Sequence, residues 1–362
     1  MNVVVVESPL PVDDVAAIEQ MLREADPFVS PPSNIEDVYS LPLYLHNAAA
    51  GGATLYALLD NNILTRATAF ASGGAISENA EKARVDRLAA AVMCFLIAAS
   101  FRVEPNISLH EKAAHDGHDE AVEQLRLLRI ADHVSAQTYC DVALGRTQRL
   151  PAEAIAEAIS RLPADMPPAR QPDFAAQTPG WRAAYYILLK AVSLYRLDTT
   201  PAEKAHAFLT WSRTDAFFSV GATTFGLMFL SPPRPAMIKR VNSDDPAAVK
   251  RGIENAAWDL VYLKHWKDQV SASAADSIWF VCTNDQLLKR IARLMIAPDA
   301  ESAAQARLSM LGDHWRNQAA AIAHHYEMES AATMTPDRNE VVAGRYAALA
   351  EGIANLEREL GL

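Results

Sequence analysis

The sequence predicts an α/β protein in which a parallel sheet carries a large excess of helices. Two short apolar runs, Leu55–Leu59 and Ser277–Cys282, are rich in residues that favour strands. A polar triplet follows each run, Asp-Asn-Asn after the first and Thr-Asn-Asp after the second, and a helical pattern follows each triplet. In open α/β sheets, chemistry is found at the carboxyl ends of the strands. The two triplets are therefore the first place to look for a functional site.

The composition and charge of the chain argue against several classes of protein. Half of the 362 residues are hydrophobic, so the chain can bury a sizeable core. The formal net charge of −11 argues against a protein that coats nucleic acid through a broad basic surface. No run is long enough to span a membrane, and the N-terminus lacks a secretory signal. The three cysteines are far apart and lie in apolar settings, which predicts reduced core thiols in a cytoplasmic protein.

The remaining elements are mostly helical. A short strand is predicted at Val3–Val6, and a capping box at Thr200 and Glu203 opens one of the later helices. The helices are predicted near 13–24, 63–70, 77–99, 106–123, 151–162, 181–196, 200–211, 247–267 and 286–296. The segments are predicted as an N-terminal extension (1–50), a first α/β part (51–129), a mainly helical insertion (130–246), a second α/β part (247–296) and a helical tail (297–362).

Four acids fall on separate predicted elements. Asp60 and Asp285 follow the two strands, Glu111 lies early in a helix, and Asp259 interrupts an apolar helical stretch. Without a cation such acids would repel one another and take up protons. Mg²⁺ and Mn²⁺ prefer oxygen ligands and are often held by a few carboxylates together with substrate phosphates. The set therefore points to a hard divalent cation and to phosphodiester chemistry.

Four blocks of the sequence resemble the PIN-like ribonucleases. They are the strand with Asp-Asn-Asn, the segment Ile107–Glu111, the helical Asn255–Leu263 with its Trp-Asp pair, and the strand with Thr-Asn-Asp. The resemblance implies a Rossmann-like α/β/α sandwich with a parallel sheet and a Mg²⁺- or Mn²⁺-dependent endoribonuclease of single-stranded RNA. It also implies metal ligands, bracing groups and contacts at specific positions. The implied ligands are Asp60, Glu111, Asp259 and Asp285. Thr283 is implied to brace the site through its hydroxyl, and Asn61 and Asn284 are implied to contact the metal-bound water or the substrate.

Several alternatives remain open at the level of the sequence. Asp60 and Asp285 are also typical helix caps. Asp259 has Lys264 or Arg293 as alternative partners. The second acid could instead be Glu104, Asp116 or Asp141.

The sequence also suggests residues that contact the substrate and possible partners. Lys264, Lys289 and Arg290 lie near the last two acids and are the expected phosphate contacts. RNA is the expected partner, while an inhibitory protein and self-association are open possibilities. The alternative class is a non-catalytic scaffold that binds proteins, and a third interpretation is a DNA-directed nuclease with the same acids.

Overall fold

A computed structural model of the chain describes residues 8–31, 37–162, 173–174, 178–214, 220–231, 237–273, 276–295 and 338–362. The chain divides into two compact units. The first contains Met1–Ala176 and His265–Lys289, and the second contains Gln177–Lys264 and Arg290–Leu362. Both units are therefore discontinuous along the chain.

The described residues form a mostly helical α/β structure. The strands are β1 (Phe28–Val29), β2 (Thr54–Leu59), β3 (Arg102–Glu104) and β4 (Ser277–Cys282). The helices up to residue 161 are α1 (Val12–Ala25), α2 (Leu41–Ala49), α3 (Asn61–Ala71), α4 (Ala80–Ala98), α5 (Asn106–Asp116), α6 (His118–Ala131), α7 (Ala136–Ala143) and α8 (Ala152–Arg161). The later helices are α9 (Pro179–Arg196), α10 (Pro201–Thr214), α11 (Val220–Leu230), α12 (Pro246–Ala272), α13 (Gln286–Met295) and α14 (Arg338–Leu360).

The sheet has four strands in the order β1-β4-β2-β3. Strand β2 is parallel to both β4 and β3, whereas β1 is antiparallel to β4. The prediction of a parallel sheet is thus correct for three strands and wrong for the fourth. The short β1 pairs only with the last two residues of β4, so its direction is set by a contact far away in the sequence.

One face of the sheet forms the main core. Ala57 of β2 lies beside Phe280 of β4, and both are buried. The ring of Phe280 contacts those of Phe28, Tyr44 and Phe101. Because alternate residues of a strand point to opposite faces, this aromatic group covers a single side of the sheet. It holds α2, β1 and the end of α4 against the central strands.

The opposite face is also covered at its centre. Leu58 and Val281 are fully buried there. Tyr56 stacks on Trp279 with ring centroids 4.3 Å apart. The indole nitrogen of Trp266, on α12, donates to the carbonyl of Trp279 at 2.9 Å. Burial on both faces explains why these strands are continuously apolar instead of alternating.

The second unit is helical in its described residues. Helix α9 contacts α10, α11 and α14. The hydroxyl of Tyr185 donates to Glu357 at 2.9 Å, and that of Ser193 donates to Glu359 at 2.6 Å. These bonds fix the C-terminal helix along α9.

The structure tests some of the sequence predictions directly. The capping box of α10 is present, since the Thr200 amide donates to Glu203 and the Glu203 amide donates to the Thr200 hydroxyl. The three cysteines are buried and form no disulfide. The predicted strand Val3–Val6 and residues 297–337 of the predicted tail lie outside the described residues. Helices α7 and α8, which the sequence assigned to the insertion, belong to the first unit.

Candidate functional site

The carboxyl ends of β2 and β4 lie side by side. Leu59 and Cys282 are register partners, and the Asp60 amide donates to the Cys282 carbonyl at 2.9 Å. Asp60 and Thr283 are the next residues of the two strands. Because the strands are parallel, both side chains emerge at the same edge of the sheet. The edge brings together two triplets that are separated by more than half of the chain.

The Thr283 side chain joins the two acids of this edge. Its hydroxyl donates to Asp60 Oδ2 at 2.6 Å, and the same oxygen accepts the backbone N–H of Asp285 at 2.9 Å. Thr283 is itself fully buried, and its amide donates to the carbonyl of Pro27 at 2.9 Å. The Thr283 hydroxyl therefore connects the two triplets through two hydrogen bonds.

Both acids also cap helices, as the alternative interpretation predicted. Asp60 Oδ1 accepts the amide of Asn62 at 3.1 Å and caps α3. Asp285 Oδ1 accepts the amides of Leu287 and Leu288 at 2.8 and 3.1 Å and caps α13. The second oxygen of Asp285, Oδ2, accepts no hydrogen bond from the described residues. Capping therefore leaves Asp285 Oδ2 open to a further ligand, whereas both oxygens of Asp60 already accept hydrogen bonds from Asn62 or Thr283.

Asp60 lies in an electrostatically strained position. Its side chain is buried, and burial raises its pKa because the charged form loses its solvation. The nearby charge of Asp285 raises that pKa further. The hydrogen bonds from Thr283 and Asn62 act in the opposite direction, because they favour the carboxylate. Bound positive charge near the two acids would remove the repulsion and favour the ionised pair.

Glu111 lies in the same unit on a helix that is anchored to β2. The buried hydroxyl of Ser108 donates to the Leu59 carbonyl at 2.6 Å. Glu111 is half-buried and follows Ser108 by one helical turn. The Ser108 bond thus fixes the start of α5, and with it the helix that carries Glu111, at the end of β2.

The open alternatives for the second acid differ in their surroundings. Glu104 ends β3, pairs in register with Leu58, and accepts the amide of Asn106 at 2.9 Å. Asp116 binds Lys112 at 2.7 Å, and Asp141 accepts from Arg146 at 3.0 Å. Of these three acids, only Glu104 ends a strand of the sheet.

Three of the predicted site residues belong to the second unit. Asp259 is half-buried on α12, and Lys264 is exposed on the same helix. Arg290 is exposed on α13. Their roles at the site stay predictions.

Lys289 does not fit the predicted phosphate contact. Its side chain is fully buried, and its ammonium group donates to the carbonyls of Ala25 and Asp26 at 3.1 and 2.5 Å. Those carbonyls end α1, where a positive charge is favoured by the helix dipole. The ammonium group therefore holds α1 against α13, and we exclude it from the substrate contacts.

The carboxylate oxygens of Asp60 and Asp285 are ligands of the type that a hard cation prefers. Among the described residues, no group of three or more His, Cys, Asp or Glu side chains is placed to hold a metal ion. Asp60 and Asp285 form a pair of carboxylates instead. Mg²⁺ is commonly held by one or two carboxylates, with waters and substrate phosphates as the other ligands. The pair is compatible with that mode of binding.

Two side-chain contacts at this edge of the sheet were not predicted from the sequence. Asn62, and not the predicted Asn61, places its side chain on Asp60, at 3.3 Å from Oδ2. Asn61 Oδ1 accepts from Thr65 instead, and Asn284 is half-buried. The capping geometry of Asp60 could have revealed Asn62, because the second helical residue faces the cap. The Ser108 contact has no local signal, since it joins residues 49 positions apart.

Comparison of the chain with protein-family models, curated proteins and solved structures finds no match. In the part of the chain that the structure describes, no helix combines the length and hydropathy needed to cross a membrane.

Proposed function

We propose that this protein is a metal-dependent endoribonuclease of the PIN-like type that cleaves single-stranded RNA. The supporting observation is the link Asp60–Thr283–Asp285 at the carboxyl edge of two parallel strands. The ionised form of a buried carboxylate beside a second carboxylate is unfavourable. A bound cation would offset this cost, and a raised pKa is also typical of groups that transfer protons. This edge is also where α/β sheets place their ligands.

Mg²⁺ or Mn²⁺ is the proposed cofactor. The oxygens of Asp60 and Asp285 would hold it, with Glu111 and Asp259 as the predicted additional acids. Such an ion, when bound, activates water and stabilises the negative charge that develops on a phosphodiester under attack.

The residues of the chain have distinct tasks in this proposal. Asp60 and Asp285 supply negative charge at fixed positions, since each is also held as a helix cap. Thr283 binds the Asp60 carboxylate and the backbone N–H of Asp285 through one hydroxyl, and so keeps the two residues together. Fixed ligands need no reorganisation during the reaction, which is the main advantage of a preorganised site. Lys264 and Arg290 remain the predicted phosphate contacts.

The test is cleavage of a 5′-labelled single-stranded RNA with Mn²⁺, with a chelator, and by an Asp285→Asn variant. Asparagine caps helices as well as aspartate does, so the variant keeps the cap of α13 and loses the charge. We expect a loss of cleavage on the order of 10³-fold, because a metal ion contributes several kcal/mol to transition-state stabilisation. An Asp119→Asn variant, changed at an exposed residue of α6, should cleave like the wild type.

Two outcomes would overturn the proposal. One is a folded wild type that neither cleaves RNA nor binds Mn²⁺ in calorimetry, which would favour the non-catalytic scaffold. The other is metal-dependent cleavage of duplex DNA with no cleavage of RNA, which would favour the DNA-directed nuclease.

A further inference from the structure

An open cleft runs along α3 directly beside the acidic edge. Its volume is about 280 Å³. The residues that matter for its chemistry are Asn61, Thr65, Arg66, Phe70, Ala75 and Asp86. This volume is just below the range of about 300 to 1,000 Å³ that is typical of ligand sites. The cleft thus suits one ring system better than an extended ligand.

The cleft contains a cation whose charge is already neutralised. Arg66 forms an ion pair with Asp86, which is buried. The second oxygen of Asp86 accepts the amide of Ser77 at 2.9 Å, so the pair is fixed to the backbone. A phosphate group would have to compete with this carboxylate for the guanidinium. The cleft therefore favours a neutral ligand over an anion.

The polar side of the cleft is held by a chain of hydrogen bonds. Gln124, which is buried, donates to the Thr65 hydroxyl at 3.4 Å, and Thr65 donates to Asn61 Oδ1 at 3.1 Å. The amide hydrogens of Asn61 find no acceptor among the described residues. A fixed carboxamide with unused donors is suited to the acceptors on the edge of a flat polar ring.

Two further residues that line the cleft, Phe70 and Ala75, are apolar. Phe70 is buried in the main core, and Ala75 is a small exposed residue. They give the lining an apolar part that a ring could contact. The cleft thus combines an apolar wall with a line of directional polar groups, as ligand pockets commonly do.

The cleft is also joined to the acidic edge. Asn62, another of its lining residues, contacts the Asp60 carboxylate at 3.3 Å. One end of the cleft is therefore linked to the Asp60 carboxylate through the Asn62 amide.

We infer that the cleft along α3 binds one nucleobase of the RNA strand next to the phosphate that is cleaved. The choice of ligand rests on the proposed nuclease function. A nucleobase is flat, neutral and edged with hydrogen-bonding groups, which matches the lining. RNA sequence is read mainly through such unstacked bases. The cleft would then give the enzyme a base preference at that position.

The experiment titrates the four ribonucleosides against the protein by saturation-transfer NMR in the presence of a chelator. Nucleosides carry no phosphate, and the chelator removes any metal, so binding is measured independently of cleavage. We expect at least one nucleoside to bind with a dissociation constant on the order of 0.1–1 mM, as its small size allows. Ala75→Trp, which fills the cleft, should weaken binding at least tenfold.

Two further variants sharpen the result. Ala156→Trp adds the same side chain at an exposed position of α8 and should leave binding unchanged. Thr65→Val removes the hydroxyl that fixes Asn61 and should weaken binding about fivefold, the effect of one lost hydrogen bond. The folding of each variant is checked by circular dichroism.

The inference is overturned if no nucleoside binds the folded wild type at 10 mM, or if the two tryptophan variants weaken binding equally. Neither result touches the proposed nuclease, which is tested by cleavage. Conversely, nucleoside binding that depends on Ala75 in a protein without nuclease activity would support the cleft while the proposed function fails.

Discussion

Two buried aspartates of the first unit, Asp14 and Asp60, have opposite electrostatic surroundings. Asp14 is bound by the guanidinium of Arg146 and by Gln137, and the Arg146 hydrogen bonds lower its pKa to about 2. Asp60 receives hydrogen bonds from neutral groups, and its pKa is raised by burial and by Asp285. Both side chains are less than a tenth exposed.

The difference shows what each carboxylate is suited to do. The chain supplies a counter-charge to Asp14, so that this residue ties α1 to the loop after α7. The described residues supply no cation to Asp60. A buried charge without a partner is costly, and a site that is built for a cation is one situation in which it persists. This contrast supports the proposed cation-binding role of Asp60 and a structural role for Asp14.

The largest expected effect concerns Thr283, which distinguishes the Asp60 edge from the Asp14 pair. Thr283→Val removes the hydroxyl that joins the two acids, while it preserves the shape of the side chain. We expect Mn²⁺ affinity to fall about 10- to 100-fold, as for other groups that orient metal ligands. Calorimetric titration with Mn²⁺ measures the effect.

Thr283→Ser is the matched control, because serine keeps the hydroxyl. Its Mn²⁺ affinity should stay within a few-fold of the wild type. Equal losses for serine and valine would contradict the role of the hydroxyl and would point to packing by the methyl group.

A smaller effect is expected when each aspartate is neutralised. In a chelator at pH 7, Asp14→Asn should lower the free energy of unfolding on the order of 1 kcal/mol, since Arg146 remains half exposed. Asp60→Asn should leave the free energy of unfolding unchanged or raise it, because it removes a buried charge and keeps the cap of α3. Urea denaturation at pH 7 gives both values.

The proposed difference between Asp14 and Asp60 is contradicted if Asp60→Asn destabilises the metal-free protein as much as Asp14→Asn does. Such a result would mean that the Asp60 carboxylate is needed for folding. Asp119→Asn, at an exposed position in the first turn of α6, serves as the reference for the loss of an exposed carboxylate.

The sequence revealed the parts of this site that have local signals. Strand β4 was predicted with the observed bounds, since its apolar run ends at a polar triplet. The acids at the ends of β2 and β4 follow from the same rule. The short strands β1 and β3 were missed, because two or three residues carry no period and owe their conformation to pairing with distant strands.

Side-chain environments were harder to predict. Lys289 stands in a Lys-Arg pair that is typical of an exposed helix face, yet its ammonium group is buried on the end of α1. No local pattern reports a contact between residues 264 positions apart. The opposite surroundings of Asp14 and Asp60 arise in the same way, since Arg146 and Thr283 reach them only in the fold.

The smallest effect is the pH dependence of stability, where the two aspartates should act in opposite directions. The pKa of Asp14 falls on folding, from 3.8 to about 2. Its contribution is therefore complete above pH 3.8 and is lost as the pH falls towards 2. The pKa of Asp60 rises on folding, so its charged form penalises the fold above the raised value. That penalty disappears as the pH falls through the raised value towards 3.8.

The two pH windows lie on either side of 3.8 and can be measured separately. Without metal, the wild type should gain stability relative to Asp60→Asn as the pH is lowered from 7 towards 3.8. Below 3.8, it should lose stability relative to Asp14→Asn. Urea midpoints across this range, each against its own variant, give the two signs. Saturating Mn²⁺ should reverse the first trend, since a bound cation favours the ionised carboxylate and lower pH would then weaken the fold. If the wild type and Asp60→Asn change in parallel over the upper window, Asp60 does not carry the unfavourable charge on which its assignment to a cation site depends.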